Sequence, residues 1–310
     1  MSRQRILVFG PGVIGSFYAA RLLACHDVTL LARGQRLADL REKGLVLVNE
    51  DTGAEERHTV TVIDRLEPDD RYDIILVTTR CQQALEALPV LSANCSPTVV
   101  FMMNGVTSYD KWHEALGDRL MTAFPIVGGE VRDGVVRYAA GLDKDQHWYA
   151  TYAGTPSNRQ TAGLTAFVEA FAACGLPVKV IRPMRDFHFM HVALVSPIAN
   201  ALYRCHGSNY ELAANRAAIR EMLLAMREGF RALRKKGIRT VPAKLRVIEL
   251  APLWLSVPVV AKLFNTPHIE TVAARHARNA RDEMGWLYRE LMEYCADSGM
   301  EMPHSSALGK

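Results

Sequence analysis

The first 33 residues of the chain constrain its fold more than any other segment. An apolar run at residues 6–9 leads into a glycine-rich turn with the spacing GxGxxG, and a helix-like segment follows. A strand, such a turn and a helix in this order are typical of a dinucleotide-binding βαβ unit, in which the helix N-terminus faces the phosphates. All six residues of the turn are therefore predicted to bind the cofactor: Gly10, Pro11, Gly12, Val13, Ile14 and Gly15.

A cation follows the second strand of this unit. Residues 28–32 form the strand, Arg33 comes next, and Arg36 is close behind. NAD-binding domains usually carry an acidic residue here for the ribose 2′-hydroxyl, whereas an arginine accommodates the 2′-phosphate of NADP. The pattern favours NADPH as the cofactor, with Arg33 binding its phosphate. The alternative is that both arginines are solvated loop residues.

Composition narrows the class of protein. The formal net charge of +4 is too small to indicate nucleic-acid binding, so no nucleic-acid partner is predicted. Six scattered cysteines show no metal-ligand spacing, which predicts reduced thiols, a cytoplasmic location and no metal site. The apolar stretch at residues 248–264 is broken by charged and proline residues, so no membrane association is predicted.

Strand-like and helix-like segments alternate up to about residue 183, and helix-like segments follow. We predict an α/β chain with an N-terminal Rossmann-type doubly wound domain (1–183) and an all-α C-terminal domain (184–310) for substrate binding and dimerisation. Strands at 120–127, 135–140 and 147–153 are expected to be antiparallel, and long helices are expected at 211–236 and 270–297. Apolar stripes at 219–233 and 248–264 suit a homodimer, or burial inside a monomer.

Further motifs lie beyond the first unit. Thr79-Arg80-Cys81-Gln82-Gln83 follows a strand at 72–78, Asn104-Gly105-Val106 follows a strand at 98–103, and Gly134-Val135-Val136 precedes a later strand. Glu283 lies sixteen residues ahead of Gly299, and Pro303 lies four residues further on. Together with the glycine turn and Arg33, these motifs resemble the ketopantoate reductase (2-dehydropantoate 2-reductase) family over nearly the whole chain.

The resemblance implies an NADPH-dependent oxidoreductase that reduces a small 2-oxo acid to a 2-hydroxy acid. Its first candidate reaction is 2-dehydropantoate to pantoate, in pantothenate biosynthesis. The resemblance places Arg80 and Gln83 near the cofactor, Asn104 on the nicotinamide ribose or a substrate hydroxyl, and Glu283 and Thr271 on the substrate. Asn104 and Glu283 are also catalytic candidates. The alternatives are an Asn-Gly turn for Asn104, a solvated loop for Arg80 and a solvated helix face for Glu283.

The first helix of the second domain departs from the family pattern. The family carries a lysine proton donor and then two asparagines, at positions that are His188, Val192 and Ser196 here. Hydride transfer to a ketone creates an alkoxide that a nearby acid must neutralise. We predict that His188 does so as an imidazolium, and that Ser196 and Asn200 on the same helical face bind substrate. The alternative is that His188 and His191 are hydrogen-bonded histidines where the domains meet.

Two other functions stay open. One is an NADP-dependent reductase that acts on a different carbonyl substrate, with His188 as the acid. The other is a non-catalytic NADP-binding protein, which the absence of the lysine favours.

Overall fold

A computed structural model describes residues 3–141 and 149–309 of the chain. They form two compact units, of which the first spans Met1–Met103 and Ser108–Met184 and the second spans Asn104–Thr107 and Arg185–Lys310. The segment Asn104–Thr107 falls inside the predicted first domain. It clusters with the second unit because Val106 and Thr107 hydrogen-bond to Glu290, which belongs to that unit.

The first unit contains twelve strands and five helices within the described residues. The strands are β1 (Arg5–Phe9), β2 (Asp27–Leu31), β3 (Leu45–Asn49), β4 (Glu55–His58), β5 (Thr61–Ile63), β6 (Ile74–Val77), β7 (Val99–Met102), β8 (Leu120–Phe124), β9 (Val127–Arg132), β10 (Val135–Ala140), β11 (Thr151–Gly154) and β12 (Val178–Val180). The helices are α1 (Val13–Leu22), α2 (Gly34–Lys43), α3 (Cys81–Ala93), α4 (Ser108–Leu116) and α5 (Ala162–Ala173).

An eight-stranded sheet forms the centre of this unit, in the spatial order β12-β11-β8-β7-β6-β1-β2-β5. The six strands from β5 to β8 are all parallel and have the order 3-2-1-4-5-6 of a Rossmann domain. Strands β6 and β7 are apolar and buried along their whole length, as the centre of a parallel sheet requires. The predicted α/β fold class is confirmed.

The predicted antiparallel strands are partly wrong. Strand β8 pairs in parallel with β7 because α4 carries the chain back across the sheet, and it is antiparallel only to β11. Strand β10 is antiparallel to β9 but parallel to β3, in a second sheet of order β4-β3-β10-β9. Of the strand predicted at 147–153, residues 147 and 148 lie outside the described residues, and β11 begins at Thr151.

The second unit is helical, as predicted. Its helices are α6 (Met184–Arg204), α7 (Asn209–Ala214), α8 (Arg216–Lys235), α9 (Arg246–Leu250), α10 (Leu253–Phe264), α11 (Pro267–Ile269), α12 (Arg275–Asn279), α13 (Arg281–Cys295) and α14 (Pro303–Leu308), with a π-helical turn at Glu270–Ala274. The predicted helix at 211–236 is two helices, because the Asn215 side chain accepts from the Ala218 N–H and begins α8 afresh. The predicted helix at 270–297 is divided at Ala280, the N-cap residue of α13.

Helix α8 lies at the core of this unit. The apolar stripe predicted at 219–233 is buried, including Ile219, Met226 and Leu233. Taken singly, no helix in the described part of the chain is long and apolar enough to cross a membrane. The two segments 243–250 and 253–264 pass that test of length and composition only when combined, and they are bent by 118° at the break between them.

Candidate active site

The glycine turn after β1 has the backbone that its sequence requires. Gly10 has a φ of +100°, and a Cβ there would overlap the methyl group of Thr79. A Cβ on Gly15 would overlap the Thr78 hydroxyl and the Gly10 carbonyl, so the absence of a side chain lets α1 approach the sheet. A Cβ on Gly12 would meet no described atom within 4 Å, so the turn is open on this side.

The N-terminus of α1 is suited to an anion. No side chain of the described residues caps this helix, and no acidic residue lies in its first turn. Backbone N–H groups in a first helical turn have no partner within the helix, and the helix dipole favours negative charge there. The Gly12 N–H donates to the Gly10 carbonyl at 2.9 Å and shapes the turn below it. These residues fit the pyrophosphate of a dinucleotide.

Arg36 holds the glycine turn in place. Its guanidinium donates to the Pro11 carbonyl at 2.9 Å, to the Ser16 hydroxyl at 3.0 Å and to the Gly134 carbonyl at 2.7 Å. Burial lowers the pKa of Arg36. The alternative of a solvated loop residue is therefore wrong for Arg36, and the sequence analysis missed its role because the turn and Gly134 are far apart in the chain.

Arg33 is exposed and follows β2, as its place in the sequence predicts. It ends the loop after β2 and directly precedes α2, and its Nε donates to the Asp64 carbonyl at 3.4 Å. A long 3.4 Å bond to one carbonyl leaves most of the donors of a guanidinium, which has five N–H groups, available to a phosphate.

Polar side chains also follow β6. The Thr78 hydroxyl donates to the Gly10 carbonyl at 2.6 Å, and the buried Thr79 hydroxyl has no hydrogen-bond partner in the described part of the chain. Arg80 and Gln83 are exposed at the start of α3. The Gln83 side-chain oxygen accepts from the Arg80 backbone N–H at 3.3 Å, so Gln83 also caps this helix.

Asn104 lies in the second unit, in the loop after β7. Its side-chain oxygen is buried and has no hydrogen-bond partner among residues 3–141 and 149–309. The buried carboxylate of Glu290 on α13 accepts from the Val106 N–H and the Thr107 hydroxyl two and three residues further along. Sequence reasoning missed Glu290, although an acid beside Leu287 and Leu291 on an apolar helix face was a usable signal.

His188 is fully buried near the start of α6. Burial, with a smaller contribution from His191, lowers the pKa of His188 to about 3. A low-dielectric surrounding disfavours the charged ring, so burial favours a neutral imidazole near pH 7 over the imidazolium that the sequence analysis predicted. The hydrogen-bonded alternative does not hold for His188 either, since neither ring nitrogen has a partner in the described structure.

Ser196 and Asn200 continue the same face of α6. The Ser196 hydroxyl is buried, and both this hydroxyl and the Asn200 amide nitrogen have no hydrogen-bond partner among the described residues. Val192 is buried between His188 and Ser196. Buried polar groups are normally hydrogen-bonded, and several unpaired groups on one face are typical of a ligand site. This face offers neutral hydrogen-bonding groups and no charge.

The remaining predicted residues lie at the start of α13 and just before α12. Glu283 is half-buried in the first turn of α13, where the helix dipole stabilises its carboxylate. One turn further on, the buried indole N–H of Trp286 has no partner in the described structure, and the sequence analysis did not single it out. Thr271 lies in the π-helical turn, and its hydroxyl donates to the Pro267 carbonyl at 3.3 Å.

The predicted site residues divide between the two units. The first unit holds Gly10, Pro11, Gly12, Val13, Ile14, Gly15, Arg33, Arg80 and Gln83, and the second holds Asn104, His188, Ser196, Asn200, Thr271 and Glu283. The described residues contain no group of three or more His, Cys, Asp or Glu side chains that could hold a metal ion.

Comparison with known families finds a match in the N-terminal half of the chain. Residues 6–155 match the family model described as ketopantoate reductase PanE/ApbA. This segment is similar to the ketopantoate reductase family. Comparison with curated proteins gives no significant sequence match.

Solved structures extend the likeness in fold over the whole chain. A PanE/ApbA family ketopantoate reductase from Ralstonia eutropha JMP134 is 21% identical with a TM-score of 0.74, over 98% of this chain and 96% of that one. A 2-dehydropantoate 2-reductase from Geobacter metallireducens GS-15 is 16% identical with a TM-score of 0.78, over 98% and 97%. A D-mandelate dehydrogenase, solved with NADH and anilino(oxo)acetate, is 14% identical with a TM-score of 0.74, over 98% and 96%. The ketopantoate reductase fold thus includes the helical second unit.

Proposed function

We propose that this chain is an NADPH-dependent oxidoreductase that reduces the keto group of a small 2-oxo acid, with 2-dehydropantoate as the first substrate to test. The observation that carries the proposal is the open glycine turn at an uncapped helix N-terminus, in a segment that is similar to the ketopantoate reductase family. The related D-mandelate dehydrogenase was solved with a nicotinamide dinucleotide and an oxo acid, which is the same pairing of ligands.

The choice of NADPH over NADH rests on Arg33. Its guanidinium is exposed at the carboxyl end of β2, where the ribose 2′-position of a dinucleotide lies in Rossmann domains. No acidic residue takes the usual place there. Arg36 is not the second phosphate ligand in this proposal, because its guanidinium is already bonded to the glycine turn.

Three neutral groups on α6 replace the family's lysine in this proposal. NADPH, when bound, supplies the hydride for the carbonyl carbon. A neutral His188 ring donates a hydrogen bond to the carbonyl oxygen and stabilises the negative charge that develops on it, as the Ser196 hydroxyl and the Asn200 amide also do. The proton that completes the alcohol then comes from solvent water, directly or through the Ser196 hydroxyl, which takes a proton back from that water, since His188 carries no extra proton near neutral pH.

A rival proposal follows from the same helix. With no charged acid on this face of α6, a chain that binds the dinucleotide tightly and reduces nothing is the second candidate function. Both candidate functions require the first unit to bind the dinucleotide. They differ only in whether the second unit supports reduction of a substrate. Cofactor binding and turnover therefore have to be measured separately.

The test follows NADPH absorbance in the presence of 2-dehydropantoate, with pyruvate and 2-oxoisovalerate in parallel, and measures NADPH and NADH affinity by calorimetry. NADPH is expected to be oxidised selectively in the presence of 2-dehydropantoate. Tight NADPH binding without turnover on any oxo acid would instead establish a non-catalytic NADPH-binding protein. Arg33→Ala is expected to weaken NADPH far more than NADH. Arg41→Ala, an exposed arginine on α2, is the control and should change neither.

A further inference from the structure

Two cysteines that are far apart in the sequence meet in the first unit. Cys25 lies in the turn after α1, and Cys174 is the C-cap residue of α5. The Cys25 thiol donates to the Ala173 carbonyl at 3.2 Å, although these two residues are 148 positions apart in the chain. The Cys174 thiol donates to the Leu22 carbonyl at 3.8 Å. Each sulfur therefore lies against the helix end that carries the other cysteine.

The two thiols also contact each other. The Cys174 sulfur is hydrogen-bonded to the Cys25 thiol and to the Cys25 backbone N–H. That N–H also donates to the Leu22 carbonyl at 3.1 Å, so one carbonyl accepts from both cysteines. A disulfide has an S–S bond of about 2.05 Å, so two hydrogen-bonded sulfur atoms have to approach by a distance on the order of 2 Å.

The surrounding contacts hold the ends of the two helices side by side. The His26 ring accepts from the Gln4 N–H at its Nδ1, at 3.2 Å, so its Nε2 carries the proton and donates to the Ala170 carbonyl of α5 at 3.0 Å. The buried rings of Tyr18 on α1 and Phe171 on α5 have centroids 5.2 Å apart. A disulfide at this place would join two groups that the fold already keeps together.

The pair is within reach of a small reagent. Both cysteines are half-buried, and an exposed residue stands beside each one, Ala24 beside the first and Gly175 beside the second. Both also lie in turns that follow their helices, and Gly175 has a φ of +70°. A turn of this kind adjusts more readily than a helix interior, so the sulfur atoms can approach without a change in the helices.

We propose that Cys25 and Cys174 form a disulfide when the chain meets a low-molecular-weight disulfide, and that this bond stabilises the first unit. The Cys25 thiolate attacks one sulfur of the small disulfide, which gives a mixed disulfide and releases one small thiolate. The Cys174 sulfur then loses its proton and attacks the Cys25 sulfur, which closes the protein disulfide and releases the second small thiolate. The two cysteines lose two electrons and two protons, and the small disulfide is reduced to two thiols.

The order of the two steps follows from the surroundings of Cys174. Burial, followed by the hydrogen bond with the Cys25 thiol, raises the pKa of Cys174 to about 12. Cys174 therefore keeps its proton while Cys25 reacts first. The contribution of the Cys25 thiol ends once Cys25 is in the mixed disulfide, so Cys174 becomes the second nucleophile. Only a thiolate attacks a disulfide, and mildly alkaline pH should speed the closure.

The bond is expected to stabilise the fold without altering the cofactor site. It closes a loop of about 150 residues, and a loop of this length strongly restricts the unfolded chain. Gly12 lies at the other end of α1, a helix of ten residues that is about 15 Å long. NADPH affinity should therefore be the same in both redox states. The proposal stands whether or not the chain reduces an oxo acid.

Oxidation of the full chain in a glutathione buffer at mildly alkaline pH, followed by alkylation and tryptic peptide mapping, tests this proposal. The peptides that carry Cys25 and Cys174 are expected to be linked in a buffer that leaves the exposed Cys95 largely reduced, because closure within a preformed pair is intramolecular. The melting temperature of the oxidised chain should rise by about 5 °C or more and return on reduction.

Serine variants identify the sulfur atoms involved. Cys25→Ser and Cys174→Ser should each abolish both the linked peptides and the rise in melting temperature, whereas the control Cys95→Ser should keep both. The melting temperature under reducing conditions checks that each variant folds, and the peptide map of the unaltered chain is decisive even if one does not. The proposal is overturned if Cys95 takes up glutathione while the pair stays unlinked, if either cysteine links to a different one, or if oxidation does not raise the melting temperature.

Discussion

The carboxylate of Glu290 accepts hydrogen bonds from the Val106 backbone N–H at 3.1 Å and from the Thr107 hydroxyl at 2.8 Å. Glu290 is buried in α13, and these two donors satisfy part of the hydrogen-bonding capacity of its carboxylate. The two bonds fasten the loop that follows β7, and this loop carries Asn104. The position of Asn104 is therefore set by a helix far along the chain, since 184 residues separate Val106 from Glu290.

Glu290→Ala is predicted to release this loop. The substitution leaves the Val106 N–H and the Thr107 hydroxyl without their acceptor, and we expect a loss of about 1–3 kcal/mol in the free energy of unfolding. Urea unfolding measures it. Glu293→Ala, an exposed acid on the same helix, is the control and should cost less than about 0.5 kcal/mol. Equal effects of the two substitutions would mean that Glu290 does not hold the loop.

Gly10 and Gly12 are predicted to respond differently to alanine. At Gly10 the positive φ and the overlap with Thr79 should lower the melting temperature. At Gly12 a Cβ has space in the free protein, so Gly12→Ala should melt like the unaltered chain and yet bind NADPH at least about tenfold more weakly, because the methyl group occupies the path of the pyrophosphate. Thermal melts and calorimetry check both. A Gly12→Ala chain with full affinity would place the phosphates elsewhere.

Arg36→Ala is predicted to weaken NADPH and NADH by the same factor. Its three hydrogen bonds shape the turn that meets the pyrophosphate, which both dinucleotides carry. The melting temperature should fall as well, since the Pro11 and Gly134 carbonyls lose a buried donor. Calorimetric titration with each cofactor makes the comparison with Arg33→Ala. A selective loss of NADPH affinity in Arg36→Ala would show that Arg36 binds the 2′-phosphate after all.

The sequence predicted the parts of this molecule that are local. The glycine turn and the parallel pairing of the first two strands follow from short segments whose residue spacing carries its own physical reason. The strand β4 was not predicted, because the half-exposed residues of Glu55–His58 give no apolar run. The strand β3 was also missed, although Leu45–Asn49 begins with four apolar residues. The break between α7 and α8 was also missed, since it depends on the single side chain of Asn215.

Other features could not be predicted because they depend on tertiary contacts. Arg36 reaches Gly134, 98 residues away in the chain, and Glu290 reaches Val106 across 184 residues. The charge of His188 is set by burial, which a helical spacing does not reveal. The same holds for the apolar stripes, because Leu233 and Leu250 look alike in the sequence and only one of them is covered.

Two substitutions at His188 are predicted to separate a neutral hydrogen-bond donor from a proton donor. Glutamine keeps an N–H donor and carries no proton to give, so His188→Gln should retain turnover within about tenfold. His188→Leu removes the donor and should lower kcat by about 10²–10³-fold, as for the loss of one oxyanion-stabilising group. Steady-state kinetics on the best oxo acid, with NADPH affinity as the control, decides between them. If His188→Gln is as impaired as His188→Leu, the imidazole does transfer a proton.

The lowered pKa of His188 also predicts how stability depends on pH. In the unfolded chain the ring has a pKa near 6.5, and in the folded chain its pKa is about 3. Between these values the unfolded state binds a proton that the folded state does not, so the free energy of unfolding falls as the pH drops below about 6.5. One such group contributes a slope of up to about 1.4 kcal/mol per pH unit.

His188→Leu should lose this slope between pH 6 and pH 4.5 in urea unfolding, whereas His113→Leu, at an exposed position on α4, should keep it. An equal slope in His188→Leu and in the unaltered chain would show that burial does not lower the pKa of His188.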